Sequence, residues 1–229
     1  MHVTNRRDDI VSPFVRSIAH TVFAGSGVVL MQPDGMWDIV FLRSRGGLQV
    51  LRTGLTTRTV EFAYADGDEL LSVGFSAASY MPVMPSDLMR DNGVLLERIG
   101  NDRFRVGSGI FEVPRLDNVE DFVARLVRRE AIERNILVAS ILSGRPNAAT
   151  ERTMQRHFLR TTGMTMKAFE QIARARNAVT LLKAGEQAAS VAYLLGYADQ
   201  PHLIRSLRAI MGQTPRQITA AAPELIWEA

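Results

Sequence analysis

The chain has 229 residues and no cysteine, so it can hold one large or two small domains but no disulfide, thiolate nucleophile or cysteine-ligated zinc. Hydrophobic residues make up 46% and charged residues 22%, a balance that favours globular domains with real cores over disorder. The sequence contains no apolar run near the roughly 18 residues of a membrane helix, and its start, MHVTNRRDDIVSP, lacks the apolar centre of a secretory signal. We therefore expect a cytoplasmic protein without a membrane partner.

The formal net charge of +3 is distributed unevenly. Residues 1–133 carry 15 Lys and Arg against 18 Asp and Glu, net −3, whereas residues 134–229 carry 12 against 6, net +6. The C-terminal part is therefore the candidate binder of a polyanion. Because the histidines show no metal-ligand spacing, we expect neither a metal site nor another cofactor; they are His2, His20, His157 and His202.

Short β-rich segments follow one another from residue 14 to residue 75. They read VRSIAHTVF, GVVLM, WDIVFL, LQVLRT, RTVEFAYA and ELLSVGF, with turn residues at 25–27, 33–35, 46–47 and 66–67. Regular short strands with tight turns predict a small antiparallel barrel or sandwich, with a cupin-like barrel among the choices. Residues 1–116 are interpreted as a β-rich domain for sensing or dimerisation.

Trp37 and Asp38 are the candidate effector-binding residues of this domain. Small-molecule sites combine aromatic walls with a few polar groups. Trp37 could supply an aromatic wall, and Asp38 could supply a binding carboxylate. The competing interpretations are that Trp37 belongs to the core and that Asp38 lies on the outward side of the pleat, and these are favoured.

A helix is predicted over residues 118–136, because Phe122, Leu126 and Val127 form one apolar stripe among charged residues. We take residues 117–135 as a connecting helix between the β-rich part and the C-terminal part. The preceding residues 100–114 are rich in glycine and charge, and predict an exposed connection.

Residues 187–217 have the pattern of a helix, a glycine-containing corner and a second helix. Gly196 can supply the left-handed residue that ends the first helix, Asp199 is a good N-cap, and Pro201 falls in the first turn of the second helix. In the second helix Leu203 and Leu207 share the inner face, and the polar residues point away. This is a helix-turn-helix pattern.

The run GYADQPHLIRSLRAIMGQTP resembles the second helix-turn-helix of AraC-type transcription regulators, where G-Y/F-x-[DS]-Q-x-H-x-x-R-x-[FL]-[KR] precedes G-x-[ST]-P. The run ERTMQRHFLRTTG resembles the first recognition helix of that family, and PDGMWDIVF resembles the start of the β-rich domain in one group of its members. The resemblance implies a sequence-specific transcription regulator whose partners are double-stranded DNA and RNA polymerase.

The candidate first recognition helix begins near Thr150 and carries Arg152, Gln155 and Arg156 on one face, at the spacing i, i+3, i+4. Arg and Gln can make paired hydrogen bonds to guanine and adenine edges in the major groove. The preceding helix is predicted at 136–142 and is followed by a corner at 143–147, a shorter helix and a longer corner than the family usually has.

A linker helix is predicted over residues 167–183, and it would place two recognition helices about one turn of DNA, roughly 34 Å, apart in adjacent major grooves. In the second unit Arg205 is the best candidate for a base contact, with Gln200 and His202 near the helix start. Arg160 and Arg208 are candidate phosphate contacts, which position the protein without specifying sequence.

The expected fold is α+β, with the β domain at 1–116, the connecting helix at 117–135 and an all-α DNA-binding domain with two helix-turn-helix units at 136–229. One alternative function is a small cupin-like enzyme with a helical tether, which is not favoured because His20 stands alone in the β region without a base or metal partner. The other is a protein-interaction domain that only forms a homodimer. Dimerisation and effector sensing both stay open for residues 1–116.

Overall fold

The computed structural model describes residues 2–7 and 12–220, in which strands come first and helices follow. The longer strands are β1 His2–Arg7, β2 Val15–Phe23, β3 Gly27–Met31, β4 Met36–Ser44, β5 Gly47–Thr53, β6 Val60–Tyr64 and β7 Glu69–Ser76. The shorter strands are β8 Ser79–Tyr80, β9 Gly93–Leu95, β10 Arg98–Ile99, β11 Arg103–Val106, β12 Gly109–Glu112 and β13 Glu133–Arg134. The helices are α1 Ser86–Met89, α2 Val119–Arg128, α3 Ile136–Leu142, α4 Glu151–Thr162, α5 Met166–Lys183, α6 Ala188–Leu194, α7 Gln200–Met211 and α8 Pro215–Ala220. The predicted α+β class, an antiparallel β region followed by a helical domain, is confirmed.

Six strands form the main sheet in the order β1-β2-β7-β4-β5-β9, and all neighbours are antiparallel. The six β-rich segments predicted from the sequence correspond to strands β2 to β7, of which β3 and β6 pair in a separate ribbon. The sheet ends in the edge strands β1 and β9, so it is open. The closed barrel that was one of the predicted forms is not formed by the strands of the described residues.

The two faces of the main sheet are covered by different structures. Side chains at alternate positions, such as Trp37, Ile39 and Phe41 of β4, point into the large core. On the opposite face Val40 packs with Phe23 and with the ribbon formed by β3 and β6. The β domain is therefore built in layers, as a sandwich is, rather than around a barrel axis.

Residues 98–112 form a three-stranded antiparallel sheet, β10-β11-β12, where the sequence predicted an exposed connection. That prediction was wrong because the glycines and charges hid an alternation in which Phe104 and Val106 point inward. Phe104 is 0% exposed and packs against Phe111 and Phe122. The segment closes one side of the large core.

The connecting helix is shorter than predicted for residues 117–135. It covers only Val119–Arg128, and the chain then turns at Glu130, whose φ of 55° is incompatible with a continued helix. Ile132 is buried beyond this turn, and β13 pairs with β8 of the β domain. Because Phe122 and Leu126 are fully buried, α2 is a packing element of the β domain.

The helices α3 to α7 follow the predicted pattern. The segment predicted at 136–142 is α3, and the linker helix predicted at 167–183 is α5. Thr150, Thr165 and Asp199 cap the N-termini of α4, α5 and α7 through their side chains, and Gly163 and Gly212 end α4 and α7 in the left-handed conformation. In the described part of the chain, no helix is long and apolar enough to span a membrane.

The hydrophobic cores divide the molecule within α5. Val138, Phe158, Met164 and Ile172 of the first helix-turn-helix region belong to the same cluster as the core of the β domain. From Ala175 onward a separate cluster joins α5 to α6, α7 and α8. The predicted boundary at residue 136 therefore lies before the place where the packing changes, and residues 221–229 of the predicted third segment lie outside the described residues.

Candidate nucleic-acid interface

The candidate first recognition helix, α4, presents its polar side to solvent. The Thr150 hydroxyl accepts a hydrogen bond from the Thr153 amide at 3.3 Å, and Phe158 is buried on the opposite side. Arg152, Gln155 and Arg156 are exposed, as is Arg160 one turn further on. The helix thus holds an Arg–Gln–Arg set on a surface that a groove of DNA can approach.

Glu151 adds a feature that was not anticipated from the sequence. The Gln155 amide nitrogen donates to the Glu151 carboxylate at 3.0 Å, across one helical turn. The amide nitrogen of Gln155 is thus directed toward Glu151, and its amide oxygen can still accept a hydrogen bond.

Asn135 braces the short helix α3 against α4. Its side-chain oxygen accepts from the amides of Leu137 and Val138 at 3.1 and 3.2 Å, which caps α3. Its side-chain nitrogen donates to Thr161 at 2.9 Å and to His157 Nδ1 at 3.2 Å. One side chain therefore caps α3 and ties it to α4.

The second recognition helix, α7, has the same division into a buried and an exposed side. Leu203 and Leu207 are 0% exposed, whereas Gln200, Arg205 and Arg208 are exposed. The Asp199 carboxylate accepts from the His202 amide at 2.6 Å, so the start of the helix is fixed. The two predicted sets of DNA-facing residues therefore lie on two separate recognition helices.

His202 has a structural role in the corner before α7. Its ring Nδ1 accepts a hydrogen bond from the Ala198 amide at 3.3 Å, and its edge packs against the ring of Tyr197 at 5.3 Å. Since Nδ1 is occupied, only Nε2 of this residue is available for a contact with DNA.

A family model described as a helix-turn-helix domain matches residues 147–221, which takes in α4 to α8. This match coincides with the two capped recognition helices and with the family resemblance read from the sequence. Residues 147–221 are an AraC-type helix-turn-helix domain. The protein that carries this AraC-type domain is a DNA-binding transcription regulator.

Solved structures of ToxT from Vibrio cholerae align with this regulator over nearly its whole length. One ToxT structure has a TM-score of 0.42 at 10% identity and covers 95% of this chain and 97% of that chain. A ToxT structure with a bound unsaturated fatty acid has a TM-score of 0.41 at 10% identity and covers 97% and 98%. No curated protein matches the sequence.

Trp37 lies in the core of the β domain, the interpretation that the sequence favoured. It is 1% exposed, its indole nitrogen donates to the Ser79 carbonyl at 2.7 Å, and its ring stacks on Phe75. Asp38 is half-buried on the other face of β4, where its carboxylate accepts from the Ser72 hydroxyl at 2.6 Å. Neither residue lines the cavity of about 690 Å³ between the β domain and the helical part.

A cavity of about 690 Å³ lies between the β domain and the helical part. Three arginines, Arg16, Arg134 and Arg176, line it together with Asp34. The Nε atom of Arg134 is buried and has no hydrogen-bond partner among the residues that the structure describes, and Arg176 donates to the Asp34 carbonyl. The apolar part of the wall comes from Val15, Met36, Ala77, Ala139, Leu142 and Phe169.

Sequence reasoning missed this cavity because its walls come from segments more than a hundred residues apart. Arg16 and Arg134 have no local pattern that distinguishes them from other surface arginines. Across residues 2–7 and 12–220, no group of three or more His, Cys, Asp or Glu side chains is arranged to hold a metal ion.

Proposed function

We propose that this regulator reads two adjacent major grooves, with α4 in one groove and α7 in the next. Each recognition helix has 12 residues, a capped N-terminus and an exposed side that carries Arg and Gln. The linker α5 has 18 residues, which corresponds to about 27 Å at 1.5 Å per residue. A rod of this length supports a separation of about one turn of DNA.

The residues are proposed to divide into two groups. Arg152, Gln155, Arg156 and Arg205 contact base edges, joined by Gln200 and His202 at the start of α7. Arg160 and Arg208 contact phosphates. The observation that carries this proposal is the exposed Arg–Gln–Arg set on α4 opposite the buried Phe158.

The test is to select bound fragments from random DNA with the full chain at a fixed salt concentration, and then to compare variants on the selected site. Arg156→Ala and Arg205→Ala should each weaken binding by about 5- to 150-fold and relax the base preference at one position. Arg103→Ala is the matched control, because Arg103 is an exposed arginine of β11 in the β domain. Equal loss on selected and random DNA would assign these arginines to phosphates and overturn the base-reading role.

We further propose that the cavity between the two parts binds a small anionic effector. Its volume of about 690 Å³ lies within the roughly 300–1,000 Å³ typical of small-molecule sites. The cavity lining carries three positive charges from the arginines and one negative charge from Asp34. A bound anion would supply the hydrogen-bond acceptor that the buried Nε of Arg134 lacks among the described residues. Thermal unfolding in the presence of benzoate, decanoate or inorganic phosphate tests this proposal. A ligand that binds in the cavity should raise the melting temperature of the wild type, and Arg134→Met should abolish that increase.

The remaining predicted partners rest on the family resemblance. RNA polymerase and a second copy of the chain are proposed as partners of the DNA-bound regulator, in the cytoplasm. Sedimentation of the full chain with and without its selected site tests dimerisation. The cupin-like enzyme is not favoured, because the matched domain belongs to DNA-binding regulators.

A further inference from the structure

The two helix-turn-helix units are attached to the β domain in different ways. The first unit, α3 and α4, shares one continuous hydrophobic cluster with the main sheet, through Val138, Phe158 and Met164. The C-terminal end of α4 also touches α1 directly, and Arg90 donates to the Gly163 carbonyl at 3.2 Å. The first unit is therefore an integral part of the β domain.

The second unit, α6 and α7, has a hydrophobic cluster of its own. Within residues 2–7 and 12–220, hydrogen bonds of Thr59, Gln32 and Arg176 connect it and α5 to the β domain. Thr59 donates to the Ile210 carbonyl through its amide at 2.9 Å and its hydroxyl at 3.2 Å, and Gln32 donates to Gln213 at 3.1 Å. Arg176 donates to the Asp34 carbonyl, and the Ile210 side chain packs against both clusters.

We infer that Gln32, Thr59 and Arg176, here called the latch, are positioning residues for DNA recognition. They hold the second unit at a fixed place relative to the first, and the molecule bends within α5, between Ile172 and Ala175, when they are released. This inference rests on the proposed function, because it concerns the spacing of two recognition helices. The hinge is placed where α5 passes from one hydrophobic cluster to the other.

The physical reason is the difference between a shared core and a few polar contacts. Separating the first unit would expose Val138, Phe158 and Met164 to water, whereas separating the second would break mainly hydrogen bonds that water can replace. A site read by two helices depends on their spacing, since each added base pair moves one groove by roughly 3.4 Å along the DNA. Asp34 and Arg176 also line the cavity between the two parts, so a ligand there would act on the latch directly.

The experiment compares the full chain with a triple variant, Gln32→Ala, Thr59→Pro and Arg176→Ala. Proline at position 59 removes both the hydroxyl and the amide N–H that bond the Ile210 carbonyl. The DNA probes are the site selected by the wild type and versions with one or two base pairs added between its halves. The wild type should lose about tenfold or more in affinity per altered spacing, whereas the triple variant should bind all spacings within about threefold of one another. Lys167→Ala is the matched control on α5, because Lys167 is an exposed cation that lies before the hinge.

The inference would be overturned if the triple variant depended on half-site spacing as the wild type does. It would also be overturned if the triple variant lost affinity equally for every spacing. Arg176→Lys keeps a donor for the Asp34 carbonyl, so it should retain the wild-type profile. A second readout needs no DNA: amide hydrogen exchange in α6 and α7 should accelerate in the triple variant, while exchange in α4 stays unchanged. If the wild type selects no site, the proposed function fails, whereas unchanged exchange in α6 and α7 rejects the latch itself.

Discussion

Gly163 and Ser86 are in such close contact that a Cβ atom on Gly163 would lie 2.2 Å from the Ser86 carbonyl oxygen. Gly163 also has a φ of 76°, the left-handed conformation that ends α4. Two requirements therefore meet at one residue, the helix stop and the close approach of the β domain. This contact is the point where the first recognition helix is set against α1.

Gly163→Ala should destabilise the β domain and the first unit together by about 2–4 kcal/mol, because the left-handed strain adds to a clash with backbone. Gly144→Ala is the control: its φ is 64°, but nothing lies within 4 Å of the added Cβ. The control should cost only about 1 kcal/mol. Urea unfolding of both variants measures this difference. Equal losses in the free energy of unfolding would show that the backbone at Ser86 moves to accommodate the added Cβ without destabilising the fold.

Local elements were predicted well because their signals are local. The strand β5 alternates buried Leu48 and Val50 with exposed Gln49, and α5 carries helical periodicity between Thr165 and Gly185. The recognition helices were found from capping residues and from the family motif, which need no knowledge of distant packing.

Long-range relationships could not be predicted from the same signals. After α2 the chain turns at Glu130, which has a left-handed conformation. This turn allows Ile132 to be buried and β13 to pair with β8, and both of these are long-range contacts. Nothing in the run around Thr59 indicates that it meets α7. The shared core of the β domain and the first unit is likewise a property of the fold, since Phe158 reads only as the inner side of a helix.

The brace at Asn135 gives a second prediction. Asn135→Ala removes the cap of α3 and the donor to Thr161 and His157, so it should lower the free energy of unfolding by about 2 kcal/mol. Asn135→Asp keeps the oxygen that caps α3 but loses the donor, so its loss should be about half as large. Urea denaturation measures both, and a larger loss in the Asp variant than in the Ala variant would contradict this division of roles.

Arg52 gives a third prediction, because it is a buried cation in the core of the β domain. It is 1% exposed, and its guanidinium lies 4.7 Å from the ring centre of Trp37. Within the described part of the chain, its Nε and Nη1 have no hydrogen-bond partner. Burial lowers the pKa of Arg52 to about 10. Arg52→Met should therefore stabilise the fold by about 1–2 kcal/mol at pH 8, since Met fills the space without a desolvated charge.

The pH dependence of this variant has a defined sign. The folded protein releases the Arg52 proton near pH 10, before the unfolded chain does, so the unfolded chain binds more protons above that pH. The penalty for burying the cation is therefore complete below pH 10 and fades as the pH rises. The advantage of Arg52→Met should shrink above pH 10 in urea titrations, and a variant less stable than the wild type at pH 8 would show that the ring contact outweighs desolvation.

The salt dependence of DNA binding gives the fourth prediction, and it separates phosphate contacts from base contacts. Arg160→Ala and Arg208→Ala should each reduce the slope of log K against log salt by about 1, with the same base preference as the wild type. Each removed phosphate contact leaves one counterion unreleased, which is the physical origin of that slope. Arg103→Ala should leave the slope unchanged because it lies on the β domain. A relaxed base preference in Arg160→Ala or Arg208→Ala would instead place that arginine in the groove, beside Arg156 or Arg205.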